Sequence, residues 1–133
     1  MLSAVIIDGN AISRDLLNSV LTQGGHRVLA QAHTAEKGMV LLATLQPQLV
    51  CVDIDQIDEE TDILQALQKD FPKVLVFLVS SELDAATVQK AVARGVHGFI
   101  VKPFNSVSVL KSIRNAVIAM IKKQPPLTQE KQT

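Results

Sequence analysis

Tryptophan and tyrosine are absent from this 133-residue chain and phenylalanine occurs four times, which leaves almost no aromatic surface on which bases or sugars could stack. The single cysteine, Cys51, excludes an intramolecular disulfide. Its place inside the apolar run Leu49 to Val52 marks it as a packing residue rather than a reactive thiol. Net charge is lacking as well: thirteen Lys and Arg balance thirteen Asp and Glu, so no direct nucleic-acid binding and no attraction to an acidic membrane are expected. No unbroken hydrophobic run is longer than Val74 to Val79, which falls far short of the ~18 to 20 residues that a membrane helix requires. Met1 to Ile7 has no basic region and is stopped by Asp8, which argues against a signal peptide. Cytoplasmic localisation is the resulting expectation.

What is present is an alternation. Short β-rich runs (Ala4 to Ile7, Arg27 to Ala32, Leu49 to Val52, Val74 to Val79 and Gly98 to Val101) alternate with longer stretches of helical period, the pattern of a parallel α/β sheet. The first helix spans about Ala11 to Gln23 and stops at Gly24-Gly25; its expected inner stripe is Ile12, Leu16, Leu17, Val20 and Leu21. The second follows Thr34 as N-cap and ends before Pro47. The third runs from about Glu60 to Lys69, with Ile63, Leu64 and Leu67 inward. A fourth begins after Asp84 as N-cap and stops near Gly95. The fifth begins after Asn105 as N-cap, uses Val107, Leu110, Ile113, Val117 and Met120, and reaches about Lys123. One domain over residues 1–123 is expected, and a polar, proline-broken tail over 124–133 is expected to be disordered. A core of this size, covering roughly two thirds of the unfolded surface, needs no staples.

In a doubly wound sheet the crevice outside the carboxyl ends of the strands is the place to look for chemistry. The residues there are Asp8, Asp53, Ser80 and Lys102, the last followed by Pro103. Taken singly, each has a structural reading: a turn residue, a loop donor, a surface cation. Taken together, two carboxylates, a hydroxyl and an ammonium are the groups that hold a divalent cation and a phosphoryl group side by side. Charge is also unevenly placed, with six acids and no base between Asp53 and Asp62, and eight bases against one acid from Ala85 onward. His26, His33 and His97 lack metal-ligand spacing and are read as packed or solvated.

With these residues in place, the chain resembles the receiver domains of two-component response regulators, the stand-alone chemotaxis type in particular, over Met1 to about Lys123. The passage Ala91-Val92-Ala93-Arg94-Gly95-Val96-His97-Gly98-Phe99-Ile100-Val101-Lys102-Pro103-Phe104 carries the resemblance most strongly. It implies a flavodoxin-like, five-stranded parallel sheet of order 2-1-3-4-5 with helices on both faces. It implies further that Asp53 is the phosphoacceptor, that Ser80 and Lys102 bind the phosphoryl group, that Phe99 is the mobile switch aromatic, and that Lys102-Pro103 is a cis peptide. Mg²⁺ would be held by Asp8, Asp53 and the backbone carbonyl of Asp55. The implied partners are a sensor histidine kinase and a downstream protein of unknown identity, with room for a homodimer through the fourth helix, fifth strand and fifth helix. The bases Lys90, Arg94, Lys111 and Arg114 lie near that face.

The sequence departs from the family pattern in two places. Aligning Arg14 and Leu17 with the family's first helix sets Asp8 on the first of two usual adjacent acids and Gly9 on the second. One carboxylate ligand is therefore missing and weaker Mg²⁺ binding is expected, with water, or the side-chain charge of Asp55, making up part of the loss. The loop after Asp53 also lacks the usual proline and glycine. The leading expectation is a phosphorylation-dependent signalling module, no enzyme beyond its own phosphorylation and dephosphorylation. The alternative is a pseudo-receiver acting as a phosphorylation-independent interaction module. A third class, a phosphatase using Asp53-Ile54-Asp55 as nucleophile and acid, is disfavoured because that motif usually follows a first strand.

Overall fold

Runs of β-branched and other apolar residues form one five-stranded sheet in the computed structural model, which describes residues 1–58 and 62–123. The strands are β1 (Ser3–Ile7), β2 (Arg27–Ala32), β3 (Leu49–Asp53), β4 (Leu75–Ser80) and β5 (Gly98–Val101). All pair in parallel, in the order β2-β1-β3-β4-β5. This is the expected flavodoxin-like arrangement. The helices between them are α1 (Ala11–Gln23), α2 (Ala35–Leu45), α3 (Ile63–Asp70), α4 (Ala85–Ala93) and α5 (Ser106–Lys123).

Strand alternation sorts the core into two halves. Val5, Ile7, Val50, Val52, Val76 and Leu78 point to one face, where Leu42 of α2, Leu64 and Leu67 of α3 and Ala91 of α4 cover them. Ala4, Ile6, Leu49, Cys51, Phe77, Val79 and Ile100 point to the other, under Leu17 and Leu21 of α1 and Val109, Ile113 and Ala116 of α5. Phe77 is fully buried, a burial that contributes about 1.5–3 kcal/mol. Its ring lies where a side chain on Gly98 would stand, within 2.5 Å of a Cβ there, so β5 is glycine at the position paired with Phe77.

The helix ends follow local chemistry. Side-chain oxygens of Asn10, Thr34, Asp62, Asp84 and Asn105 accept the N–H three residues on, which satisfies donors the first turn leaves open. Gly25, at φ 87°, turns the chain out of α1 into β2.

Three expectations are corrected. Ile12 and Leu16 are exposed, at 72% and 55%, because α1 meets the sheet along Leu17 and Leu21 and the stripe drawn from periodicity was too broad. Val107 is likewise exposed, whereas Val109 and Ala116 are buried: α5 is rotated so that these residues, with Ile113, face the sheet. The third helix is capped at Asp62 rather than starting at Glu60. Glu60 and the expected tail over 124–133 lie outside the described residues.

Candidate functional site

Sheet register assembles the site. Ile7 pairs with Val52, so Asp8 and Asp53, each the next residue, leave adjacent central strands side by side. Asp53 pairs with Val79 and Ser80 with Val101, and the Lys102 N–H donates to the Ser80 carbonyl at 2.9 Å. Four residues far apart in the chain thus reach one rim, at the carboxyl ends of the strands.

Asp8 and Asp53 are buried, at 5% and 4% exposure. The Lys102 ammonium lies between them, 3.0 Å from Asp8 Oδ2 and 2.7 Å from Asp53 Oδ2. Burial pulls the Lys102 pKa down, but the hydrogen bonds and negative charges of Asp53 and Asp8 outweigh that and hold it above its ordinary value. The other carboxylate oxygens take backbone donors: Asn10 N–H to Asp8 Oδ1 at 2.8 Å, and Asp55 N–H to Asp53 Oδ1 at 2.9 Å. The second of these caps a short 3₁₀ turn, Ile54–Gln56, so the backbone after β3 is tied to the Asp53 carboxylate itself.

The remaining candidates divide. The Ser80 side chain is at the rim but turned into its own loop, its Oγ donating to the Glu82 carbonyl at 2.7 Å and accepting the Glu82 N–H at 3.2 Å. The Asp55 side chain is exposed. Phe99 is half-buried and packs against the core half under α2, α3 and α4. The Lys102–Pro103 peptide bond is cis. Of the bases assigned to the α4, β5 and α5 side, Arg94 is ion-paired with Asp62. Arg114 lines a cleft with Gly24 and His26 instead, since its place on α5 faces α1.

Two residues near the site carried no assigned role in the sequence reading. Arg14 Nη1 donates to the Asp8 carbonyl at 2.6 Å, clamping the end of β1 from the first turn of α1. Gln56 Nε2 donates to the His33 carbonyl at 3.2 Å, and a Cβ on Gly9 would lie 3.3 Å from that nitrogen. Arg14 served only to align the first helix. Nothing marks Gln56 until the 3₁₀ turn is known.

With the geometry established, comparison with known proteins identifies the lineage. A family model, the response regulator receiver domain, matches residues 4–114. The chain belongs to that family. Among relatives of this receiver domain, chemotaxis protein CheY of Thermotoga maritima is 26% identical over 110 residues, which cover 82% of the chain and 92% of that protein. The receiver domain of NtrX from Brucella abortus superposes with a TM-score of 0.75 at 26% identity, over 85% of this chain and 96% of that one. The signal receiver domain of a modulated diguanylate cyclase from Desulfovibrio desulfuricans G20 shares the fold with a TM-score of 0.79 at 20% identity, over 93% and 99% of the two chains. Receiver domains are signalling proteins of two-component systems rather than classical enzymes, and they generally bind Mg²⁺ and interact with histidine kinases and effectors.

The donors in this receiver suit a hard cation in kind and fall short in number. Asp8 and Asp53 present carboxylate oxygens that each keep acceptor capacity beyond their present bond, and carboxylate oxygen is the ligand Mg²⁺ takes. Gly9 supplies no side chain. No group of three His, Cys, Asp or Glu residues gathers among the described residues, and no helix among them is long and apolar enough to cross a membrane.

Proposed function

We propose that this receiver domain accepts a phosphoryl group on Asp53 from a sensor histidine kinase and signals through the face formed by α4, β5 and α5. The observation that carries the reading is the Lys102 ammonium bonded to both Asp8 and Asp53 at the strand ends. An Asp53 carboxylate oxygen attacks phosphorus, the bond to the donor's histidine nitrogen breaks, and its electron pair leaves with the imidazole; Asp53 becomes an acyl phosphate. Lys102 neutralises oxygen charge as it builds on the transferred group. Asp8, Asp53 and the Asp55 carbonyl would hold Mg²⁺, which when bound supplies further positive charge to the phosphoryl oxygens. Affinity is reduced by Gly9.

The added dianion draws the Ser80 hydroxyl from the Glu82 carbonyl towards the phosphoryl oxygens, and Phe99 repacks with it. Such a change shifts the population of the α4, β5 and α5 face. Val92, Val101 and Val107 are exposed on those three elements, apolar ground for a downstream protein or a second copy, in a cytoplasmic setting. The single folded unit over 1–123 acts as the module.

Intact-mass measurement after incubation with acetyl phosphate and Mg²⁺ tests the reading: the parent gains one phosphoryl group and Asp53→Ala gains none. A second reading, a pseudo-receiver that binds partners without phosphate, is favoured by Gly9 and by the engagement of Ser80 with Glu82. A parent mass that stays unchanged, together with Phe99 and Ser80 resonances unmoved by beryllofluoride and Mg²⁺, selects that second reading.

A further inference from the structure

Two surfaces on opposite sides of the sheet stay uncovered among the described residues, and they complement each other. The first is a groove of about 540 Å³ walled by Met39 and Val40 of α2 and by Ile63 and Ala66 of α3. Val40 is 65% exposed. The charged residues lining the groove, Glu36 and Asp62, are both acids. Arg94 engages Asp62, whereas Glu36 is exposed, and the exposed Asp55 and Asp58 of the loop before α3 carry the same sign. The second surface is the end of α5. The buried residues of that helix, Val109, Ile113 and Ala116, all lie before position 117, yet the apolar run continues over 116–121. Ile118 is 42% and Ile121 64% exposed as a result, a contiguous apolar patch of the kind that marks an interaction site. Spacings of three and four place Arg114, Ile118, Ile121 and Lys122 on one stripe, two apolar residues flanked by two bases. No acid occurs in α5.

We propose that this chain associates head to tail, Ile118 and Ile121 of one copy seating in the α2–α3 groove of the next, with Arg114 and Lys122 set towards its acids. One copy cannot close this contact on itself, because α5 covers the sheet face opposite to the one under α2 and α3. A second copy is the occupant that charge favours. Acids gather from Asp53 to Asp62 and bases from Ala85 onward in a chain whose net charge is zero, so copies attract through these patches without repelling as wholes. The contact joins two different patches. Each added copy therefore leaves one groove and one helix end open, and association runs past the dimer. Two isoleucines and their flanks make a small patch, so a Kd of roughly 10 µM to 1 mM is expected. The contact does not depend on phosphorylation of Asp53.

The test is sedimentation of the unphosphorylated full chain across that concentration range. The parent's average mass is expected to rise with concentration and to pass that of a dimer. Ile121→Glu turns an acid towards acids, and Val40→Glu lays a carboxylate on the apolar wall; both replace exposed residues, and each variant alone is expected to remain monomeric. Mixed in equal amounts, the two variants are expected to form a dimer and stop there. The intact groove of Ile121→Glu takes the intact helix end of Val40→Glu, and the two altered surfaces, both acidic, do not meet. Recovery in the mixture also shows that both variants are folded. A parent that stays monomeric overturns the proposal, and so does a mixture that stays monomeric while both variants keep the parent's circular dichroism. Association lost in Ile121→Glu but kept in Val40→Glu overturns it too, since α5 would then be pairing symmetrically with another α5 and not with the groove.

Discussion

The two ends of the sheet are both lined with polar groups, and they put them to different uses. At the amino end, polar side chains serve the backbone. His26 Nδ1 accepts the Leu2 N–H at 3.1 Å, and His97 Nδ1 accepts the Val76 N–H at 3.0 Å. Gln48 and Ser3 exchange bonds through the Gln48 carbonyl oxygen of the side chain and the Ser3 hydroxyl. Each outer strand is thus preceded by a histidine whose ring fastens it to its inner neighbour. At the carboxyl end two buried carboxylates share one ammonium, so the ion-paired group holds one more carboxylate than ammonium. Fold stability alone would cancel that excess. Its survival in buried groups is what the proposed phosphoryl-accepting role would use.

The difference is broken most severely by removing the ammonium. Lys102→Met is expected to slow phosphoryl uptake from acetyl phosphate by about 100- to 1000-fold, read as the initial rate of mass gain, while the far-ultraviolet circular dichroism is retained. A rate equal to the parent's would strip Lys102 of its role. At the opposite end, His97→Ala leaves the Val76 N–H without its acceptor and is expected to lower unfolding stability by about 1–3 kcal/mol in urea, with the Mg²⁺ titration unchanged. A variant that altered Mg²⁺ binding without losing stability would show that the two ends are not separate in function.

A smaller effect comes from pH. Burial, then the nearby N-terminal ammonium, hold the His26 pKa below 6.5. As pH falls through 6.5 the unfolded chain takes the proton first, so the contribution of this histidine is complete above 6.5 and fades towards the lower folded value. The parent's melting temperature should therefore fall over that window more than that of His26→Gln. The smallest expected effect is at Cys51, whose thiol burial pushes up to about 12. It should stay unreactive towards a disulfide reagent in the native state and react only on unfolding.

Much of the framework was legible before any coordinates. Arg27–Ala32 and Gly98–Val101 were delimited as they occur, because their apolar residues are bounded by turn chemistry. The caps Thr34, Asp84 and Asn105 followed from the hydrogen bond that such side chains offer a helix start. Strand ends also located Asp8, Asp53 and Lys102. Helix facing was less legible: periodicity names a stripe but not its width, so Ile12, Leu16 and Val107 were placed inward although the helices roll them out. The Ser80 hydroxyl and Gln56 were illegible for a different reason. Their bonds depend on loop dihedrals two or three residues beyond a strand, where no periodic signal exists.

Lys102 follows β5, which among the described residues pairs with β4 alone, whereas Asp8 and Asp53 leave strands paired on both sides. The cation therefore leaves an edge strand and the anions leave inner strands. A partner that clasps the open flank of β5 and displaces the ammonium would act, through its two bonds, on both carboxylates. Thermodynamic reciprocity then obliges any change at the ammonium to be felt, in equal measure, as a change in grip along that flank.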